Sequence, residues 1–305
     1  MQIFIEPLGG YYEALEAFDR ILIMEPHNVE VPCKVASIKQ RKGDFCESLD
    51  LYNKALESCK SPQEKARSYS AIQYTYQSLL QYRKALQWHA KPYEQSTQYT
   101  VPMNAVFIRI KEIFYQVWMG DTLEGARTRD EIAATFSSIF EDAVGYPIGA
   151  FAAAVKDSIM SKEALEQVIR FENAYSVSPE FSINIKLGFD EARNDYKTAI
   201  KRLEEFMASQ PGITVNKNVE LARHYRLEAD LGKAEKSIMR LFEIYPGNLD
   251  GNFEHARVLY AQGKIEEASK ALDYTLSFWK DADPEAVDYK EAIELRATLY
   301  SKLTN

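Results

Sequence analysis

The amino-acid sequence predicts an all-α solenoid of stacked antiparallel helix hairpins. The first observation is a frame of small and bulky residues that recurs along the chain, with Ala14 and Ser48 34 positions apart and Ala234 and Ala268 again 34 apart. The second is the composition, since only 13 Gly and 11 Pro occur in 305 residues and helices tolerate these two residue types least. A fixed period near 34 residues in helical sequence is typical of stacked helix hairpins.

Each position of the frame has a physical role. The small residue fits where two helices approach closely, and a leucine there would overpack the contact by about 1–3 kcal/mol. The aromatic residue three positions before it and the bulky residue four positions after it lie on the same helical face. A proline ends the second helix because it lacks an N–H. The small residues are Ala14, Ser48, Ala85, Ala199, Ala234 and Ala268, and the prolines are Pro26, Pro211 and Pro246.

This frame resembles the tetratricopeptide repeat over most of the chain. The resemblance implies a right-handed superhelix of about eight repeats, each a pair of antiparallel helices, with a capping helix at the C-terminal end. The first repeat is expected to be incomplete, because residues 1–8 are too few for its first helix. The resemblance also implies that the first helices line a concave face that binds a peptide or a partner protein. It does not identify that partner, because one fold serves many functions.

We expect one continuous array whose first part, residues 1–96, is a regular block. Pro92 falls where a second helix should still be running, and it predicts a kink or an early stop near Lys91. The helices predicted in this block are Gly10–Met24, Val29–Lys42, Asp44–Cys59, Pro62–Leu79 and Gln81–Lys91.

The middle part, residues 97–177, keeps the frame poorly and is predicted to form irregular helical hairpins. One of its helices is crowded with small residues such as Gly149, Ala150 and Ala153. Close packing of two helices explains these residues, and so does a widened groove that admits a partner helix. The predicted helices are Val101–Trp118, Ala143–Lys156 and Lys162–Ser176.

The last part, residues 178–305, is a second regular block that ends in a capping helix at residues 284–303. Asp283 is expected to be the N-cap of that helix and Pro284 its first residue. The three pairs before it are Pro179–Glu191 with Asp195–Ser209, Val215–Glu228 with Leu231–Tyr245, and Leu249–Gln262 with Ile265–Lys280.

The segment from Phe278 to Pro284 and on to Ala286 resembles the tail that closes repeat regions in some bacterial multidomain signalling proteins. The resemblance implies that the chain is the C-terminal regulatory part of such a protein. The packing alternative is that Trp279 plugs the last hairpin.

The charge and the cysteine content of the sequence exclude several classes of binding partner. With 37 Lys and Arg against 45 Asp and Glu, the net charge is −8, which gives no footprint for nucleic acid or for an anionic membrane surface. Cys33, Cys46 and Cys59 form no CxxC pair and are expected to be packed thiols, not metal ligands. Residues 1–8 do not resemble a signal peptide, and no apolar stretch approaches the roughly 20 residues that span a bilayer. We therefore expect a cytoplasmic location and no cofactor or metal.

The sequence holds none of the motifs that mark common enzymes. It has no glycine-rich phosphate loop, no GxSxG and no HExxH, and only 4 histidines. His224 and His255 are expected on helix surfaces or in a satisfied core. We therefore predict that the protein is not an enzyme.

The candidate partner-binding residues are those that the frame leaves free on the first helices. Arginine and aromatic residues are favoured in binding hot spots, and guanidinium groups suit a peptide that carries carboxylates. The alternative is that these side chains are simply solvated. The candidates are Arg67, Tyr74, Lys111, Glu220, Arg223, Arg226, Phe253, Arg257 and Tyr260.

Two functions follow from these observations. The first is a protein-interaction scaffold that binds a protein or peptide on the concave face. The second is self-assembly, as a homodimer, through the uncovered helix at Gly10–Met24.

Overall fold

The computed structural model describes residues 10–25, 28, 30–94, 102–137, 141–175, 180–210 and 217–304. Within these ranges the chain forms 16 α-helices, two short 3₁₀ segments and no strand, which confirms the predicted all-α class. The 3₁₀ segments are Glu141–Val144 and Trp279–Asp281. The helices are α1 (Gly10–Met24), α2 (Glu30–Lys42), α3 (Phe45–Ser58), α4 (Pro62–Ser78), α5 (Tyr82–Glu94), α6 (Pro102–Trp118), α7 (Thr122–Ser137), α8 (Gly145–Val155), α9 (Ser158–Tyr175), α10 (Glu180–Ala192), α11 (Tyr196–Ser209), α12 (Lys217–Leu227), α13 (Leu231–Ile244), α14 (Leu249–Ala261), α15 (Ile265–Phe278) and α16 (Val287–Leu303).

The helices stack as a single α1, seven hairpins from α2–α3 to α14–α15, and the final α16. The small residues of the frame lie where the helices pack closest: Ser48, Ala85, Ala199 and Ala268 are all 0% exposed. The helix expected to stop near Lys91 instead continues to Glu94. Proline there falls in the last turn, where its missing N–H removes a single hydrogen bond.

All seven hairpin turns of the described chain share one backbone conformation. In each turn one residue has a positive φ, and the N–H of the next residue returns to a carbonyl five positions earlier, as from Asp44 to Lys39 at 2.9 Å. This is the Schellman bond that satisfies the open end of a helix. The middle hairpins keep this turn too, although the division into three blocks stays a prediction. The positive-φ residues are Gly43, Leu80, Gly120, Lys156, Asn194, Ala229 and Gly263.

The small-residue helix α8 is explained by close packing. A Cβ on Gly145 would lie 2.7 Å from the Ala164 carbonyl oxygen of α9, and one on Gly149 would lie 2.6 Å from the Ile185 side chain of α10. A larger residue at either position would push a neighbouring helix away.

Two parts of the chain that are about six repeats of about 34 residues apart contact each other. The Trp279 indole N–H donates to the Ser78 carbonyl at 3.0 Å across 201 positions, and the Asp283 N–H donates to the Leu80 carbonyl at 3.0 Å. The hairpin turns of the first repeats thus contact the connections between the last repeats. We call this contact the seam. Its residues are Arg41, Gly43, Phe45, Ser78, Leu80 and Arg83 on the first side and Gly247, Phe278, Trp279, Asp283 and Glu285 on the second.

The seam explains the segment that resembled a signalling-protein tail. Trp279 is 0% exposed and belongs to the core that spans both sides of the seam, so it does more than plug the last hairpin. Asp283 is not the N-cap of the last helix: its carboxylate accepts the Arg83 backbone N–H at 2.9 Å and pairs with the Arg83 guanidinium at 3.1 Å. The capping helix accordingly begins at Val287, with Ala286 as N-cap.

Candidate functional site

The first helices of successive repeats lie side by side, and we call the surface that they form the first-helix face. Its helices are α2, α4, α6, α8, α10, α12, α14 and α16. Many polar side chains on it bind the neighbouring repeat: Arg67 pairs with Glu30 at 3.2 Å, and the His224 ring contacts Glu191 at 2.8 Å. Positions that the repeat frame leaves free are therefore partly used to hold repeats together.

A second group of these contacts surrounds Glu254, which stands at a position that the repeat frame leaves free. Its carboxylate is 1% exposed and accepts hydrogen bonds from Arg226 at 2.5 Å and from Arg257 at 3.3 Å. Arg257 also binds Glu291 of α16. A buried carboxylate held by two guanidinium groups is a structural contact, so Arg226 and Arg257 are occupied within the array.

Two aromatic candidates are covered in the same region. Phe253 is 2% exposed, with its ring 5.4 Å from the Trp279 ring and the Arg257 guanidinium 3.8 Å above it, which corrects the expectation that it faces a partner. Tyr260 is half-buried, and the Lys302 ammonium of α16 lies 4.9 Å from its ring centre. The last helix thus covers the end of the first-helix face, because α14 offers it both a charged and an aromatic surface.

Of the candidates on α12, Glu220 is paired and Arg223 has unused hydrogen-bonding capacity. Glu220 accepts the Lys217 ammonium at 2.7 Å. The Nε atom of Arg223 is buried and has no hydrogen-bond partner among the described residues. Burial alone would lower the pKa of Arg223, but the carboxylates of Glu191 and Glu254 outweigh it and raise that pKa. Arg223 is therefore a permanently charged group with one donor free.

Two further charged groups of this face are exposed but partly removed from bulk water. Lys111 of α6 is exposed, and the surrounding protein lowers its pKa. Asp250, in the first turn of α14, is reached by solvent, yet burial within the superhelix raises its pKa to about 7, with a further contribution from Asp288. Perturbed pKa values of this kind are common at functional sites and also occur in structural charge networks.

A cavity of about 260 Å³ opens between α2 and α4, over the first helices of two successive repeats. We call it the α2–α4 cavity. Arg67 lies at its edge and is 74% exposed, whereas Tyr74 lies further along α4 and is half-buried. The cavity is lined by Glu30, Cys33, Lys34, Ser37, Tyr52, Glu64, Arg67 and Ala71.

The predicted candidates therefore do not form one site. Arg67 borders the α2–α4 cavity, Lys111 and Arg223 belong to other repeats, and the residues on α14 are covered. Within the described ranges, no three His, Cys, Asp or Glu side chains are placed to hold a metal ion. No described helix has the length and apolar character that a membrane crossing requires.

Comparison with known proteins bears on the fold. No family model matches the sequence, and no curated protein matches it either. A crystal structure of a tetratricopeptide repeat protein from Parabacteroides merdae matches with a TM-score of 0.52 and 11% identity, over 89% of this chain and 98% of that chain. The crystal structure of the APC/C hetero-tetramer Cut9–Hcn1 matches with a TM-score of 0.47 and 14% identity, over 95% of this chain and 52% of that chain. The recurring hairpins and the match to the Parabacteroides merdae structure together show that the chain has the tetratricopeptide-repeat fold.

Proposed function

We propose that the protein is a non-catalytic interaction scaffold that binds a segment of a partner protein on its first-helix face, on the concave side of the superhelix. The observation that carries the proposal is the α2–α4 cavity, which opens between two first helices and has an apolar floor under a charged edge. A site of this kind offers a buried contact for one side chain and polar contacts for its neighbours, which is how binding hot spots are built.

Charged groups elsewhere on the same face support the proposal. Lys111 is exposed, and Arg223 of α12 is a half-buried cation on the same face. A partner segment that follows the first helices would pass these groups in turn. Contacts spread over several repeats give affinity without any single deep pocket, as is usual for solenoids.

Affinity capture with the full chain tests this function. The variant Lys111→Glu/Arg223→Gln changes the first-helix face, and Lys201→Glu/Lys236→Glu is the matched control on the second helices α11 and α13, where both lysines are exposed. We expect the first variant to lose a specific captured protein that the control variant retains. Equal capture by both variants, with both folded by circular dichroism, would refute the first-helix face as the binding surface.

Self-assembly is the second candidate, and one observation favours it. Ile23 and Met24 at the end of α1 are 80% and 74% exposed, which is unusual for adjacent large apolar residues. We expect light scattering to show a dimer at high micromolar concentration and a monomer after Ile23→Lys/Met24→Lys. A monomer before substitution would remove this candidate.

The location and the biological setting also remain proposals. We propose a cytoplasmic protein of a regulatory system, on the resemblance of Phe278–Ala286 to the tails of bacterial signalling proteins. The same segment also has a structural role, because Trp279 and Asp283 form contacts of the seam.

A further inference from the structure

We propose that the α2–α4 cavity is the anchoring site for the partner and takes one apolar side chain that stands next to a carboxylate in a peptide segment. This inference rests on the function proposed above, because it assigns a ligand chemistry to one part of the first-helix face. Three features carry it: the floor of the cavity, its size and the charges at its mouth.

The floor favours an apolar group because its polar atoms already have partners. The Sγ atoms of Cys33 and Cys59 each lie 3.7 Å from the Oγ of Ser68. The Tyr52 hydroxyl interacts with the Ser37 and Ser48 side chains, and burial raises the pKa of Tyr52 to about 12, so the phenol stays neutral. A polar ligand group in this floor would lose its water without gaining equivalent hydrogen bonds.

The size favours a single side chain. At about 260 Å³ the cavity is smaller than the roughly 300–1,000 Å³ typical of sites for small molecules and cofactors. It is several times larger than the roughly 30 Å³ that one water molecule occupies in the liquid. A leucine, methionine or phenylalanine side chain of a bound peptide suits that space.

The charges at the mouth favour a carboxylate beside the apolar group. Lys34 and Arg67 share one acid, Glu30, at 3.9 and 3.2 Å. The second acid, Glu64, already accepts the backbone N–H groups of Lys60 and Ser61 at 2.9 and 3.0 Å, and these bonds lower its pKa. Both acids also stand in the first turn of a helix, where the helix dipole offsets their charge. The two cations therefore have capacity left for an incoming carboxylate, which an arginine can bind with two hydrogen bonds.

A phage-displayed library of random nonapeptides, selected on the full chain, tests the ligand chemistry. We expect the selected sequences to share a large apolar residue next to Asp or Glu. Sequences enriched in Lys or Arg around the apolar position, or no enrichment, would overturn the assignment.

The cysteines supply an internal footprint of the site. Cys33 lines the cavity, whereas Cys46 on α3 is exposed and serves as the control thiol. Burial raises the pKa of Cys33, so alkylation with iodoacetamide is best followed at about pH 9. We expect a saturating amount of the selected synthetic peptide to slow alkylation of Cys33 at least tenfold and to leave Cys46 unchanged. An unchanged rate at Cys33 would overturn the proposal.

Charge reversal at the mouth tests specificity without disturbing the floor. Lys34 and Arg67 are 41% and 74% exposed, so Lys34→Glu/Arg67→Glu should fold normally. We expect fluorescence anisotropy to show at least tenfold weaker binding of the selected peptide and tighter binding of its analogue with Lys in place of the acid. Lys201→Glu, at a 77% exposed position of α11, should change neither affinity. Unchanged affinities in the double variant would overturn the proposal.

The outcomes separate this proposal from the function on which it rests. If Lys111→Glu/Arg223→Gln loses the captured protein while Lys34→Glu/Arg67→Glu retains it, the anchoring site is wrong and the scaffold function stands. If neither variant loses it, both are wrong.

Discussion

Replacing Gly247 by alanine should open the seam. A Cβ at this position would lie 2.2 Å from the backbone nitrogen of Gly43 and 2.6 Å from its Cα atom. Both obstacles are backbone atoms, so no side-chain rotation can relieve the overlap. Gly247 does not have a positive φ, so the expected effect comes from steric overlap and not from backbone conformation.

The magnitude follows from the contacts that must separate. The Gly247 N–H donates to the Arg41 carbonyl at 2.7 Å, and such a bond contributes about 1 kcal/mol. Overpacking by one methyl group costs about 1–3 kcal/mol. The nearby Phe45–Phe278 pair, with ring centres 5.4 Å apart, contributes about 0.5–1.5 kcal/mol more if it separates. With all three contributions, we expect Gly247→Ala to cost about 2.5–5.5 kcal/mol.

Two measurements check this prediction. Urea unfolding gives the change in the free energy of unfolding, and hydrogen exchange shows whether the amides of Gly247 and Asp283 lose protection together. Gly232→Ala is the matched control, because a Cβ there meets nothing within 4 Å, and it should stabilise α13 by up to about 1 kcal/mol. If Gly247→Ala unfolds as the wild type does and the two amides keep their protection, the description of the seam as a close backbone contact is refuted.

Three further predictions concern single residues. Ala229→Gly should stabilise the protein by about 1 kcal/mol in urea unfolding, because Ala229 has φ 60°, a left-handed conformation that favours glycine. The control Ala208→Gly, on exposed helical backbone, should destabilise the protein by a similar amount. The same sign for both variants would contradict the turn geometry. Asp250→Asn should be more stable than the wild type by about 1–2 kcal/mol above pH 7, which is less than the full pKa shift implies because Asp250 is exposed and solvent screens its charge. The advantage should fade as the pH falls from about 7 to about 4. The sign follows because the folded protein raises the pKa of Asp250 to about 7, so ionising this carboxyl destabilises the folded state. Thermal unfolding with the same pH dependence in both proteins would contradict this prediction. Glu254→Gln should lower the free energy of unfolding by about 3–5 kcal/mol, because it leaves two guanidinium groups without their buried charge partner. A loss below about 1 kcal/mol would show that the charge of Glu254 is not needed for this contact.

Most of the fold could be predicted because its signals are local. A small residue such as Ala199 or Ala268, with bulky residues on the same helical face, is enough to place a helix pair. The hairpin turns carry a local signal as well, since Asp follows the positive-φ residue in turns such as Asn194–Asp195 and Ala229–Asp230 and caps the second helix. Helix ends were predicted to within a few residues for this reason.

The seam could not be predicted, because no pattern within one repeat refers to a residue 200 positions away. Asp283 before Pro284 has the local form of an N-cap, and its actual partner Arg83 lies in the third repeat. Phe253 appeared free for a different reason: the repeat frame does not include Trp279, which follows α15 in the same hairpin and covers the Phe253 ring.

The candidate site was only partly accessible to sequence reasoning. Arg67 was found because it lies on the face that the frame leaves open. Glu254 also stands at a position that the frame leaves free, but its burial between two arginines could not be predicted. The cavity floor at Cys33 and Tyr52 was missed, since such residues on helices usually have packing roles. Their importance depends on which neighbouring repeat faces them, and that is set by the superhelix.

The seam also changes how the array should unfold. An open solenoid loses terminal repeats one at a time, since each repeat contacts only its neighbours and the stability is close to a sum along a line. Here the end of α15 and the connections before α14 and α16 are tied to the second and third repeats, so distant parts of the line support each other. Fraying from the C-terminal end would therefore expose the second and third repeats as well. We therefore expect a single cooperative transition, and slower folding than an open array of this length, because the seam joins parts of the chain that are distant in sequence.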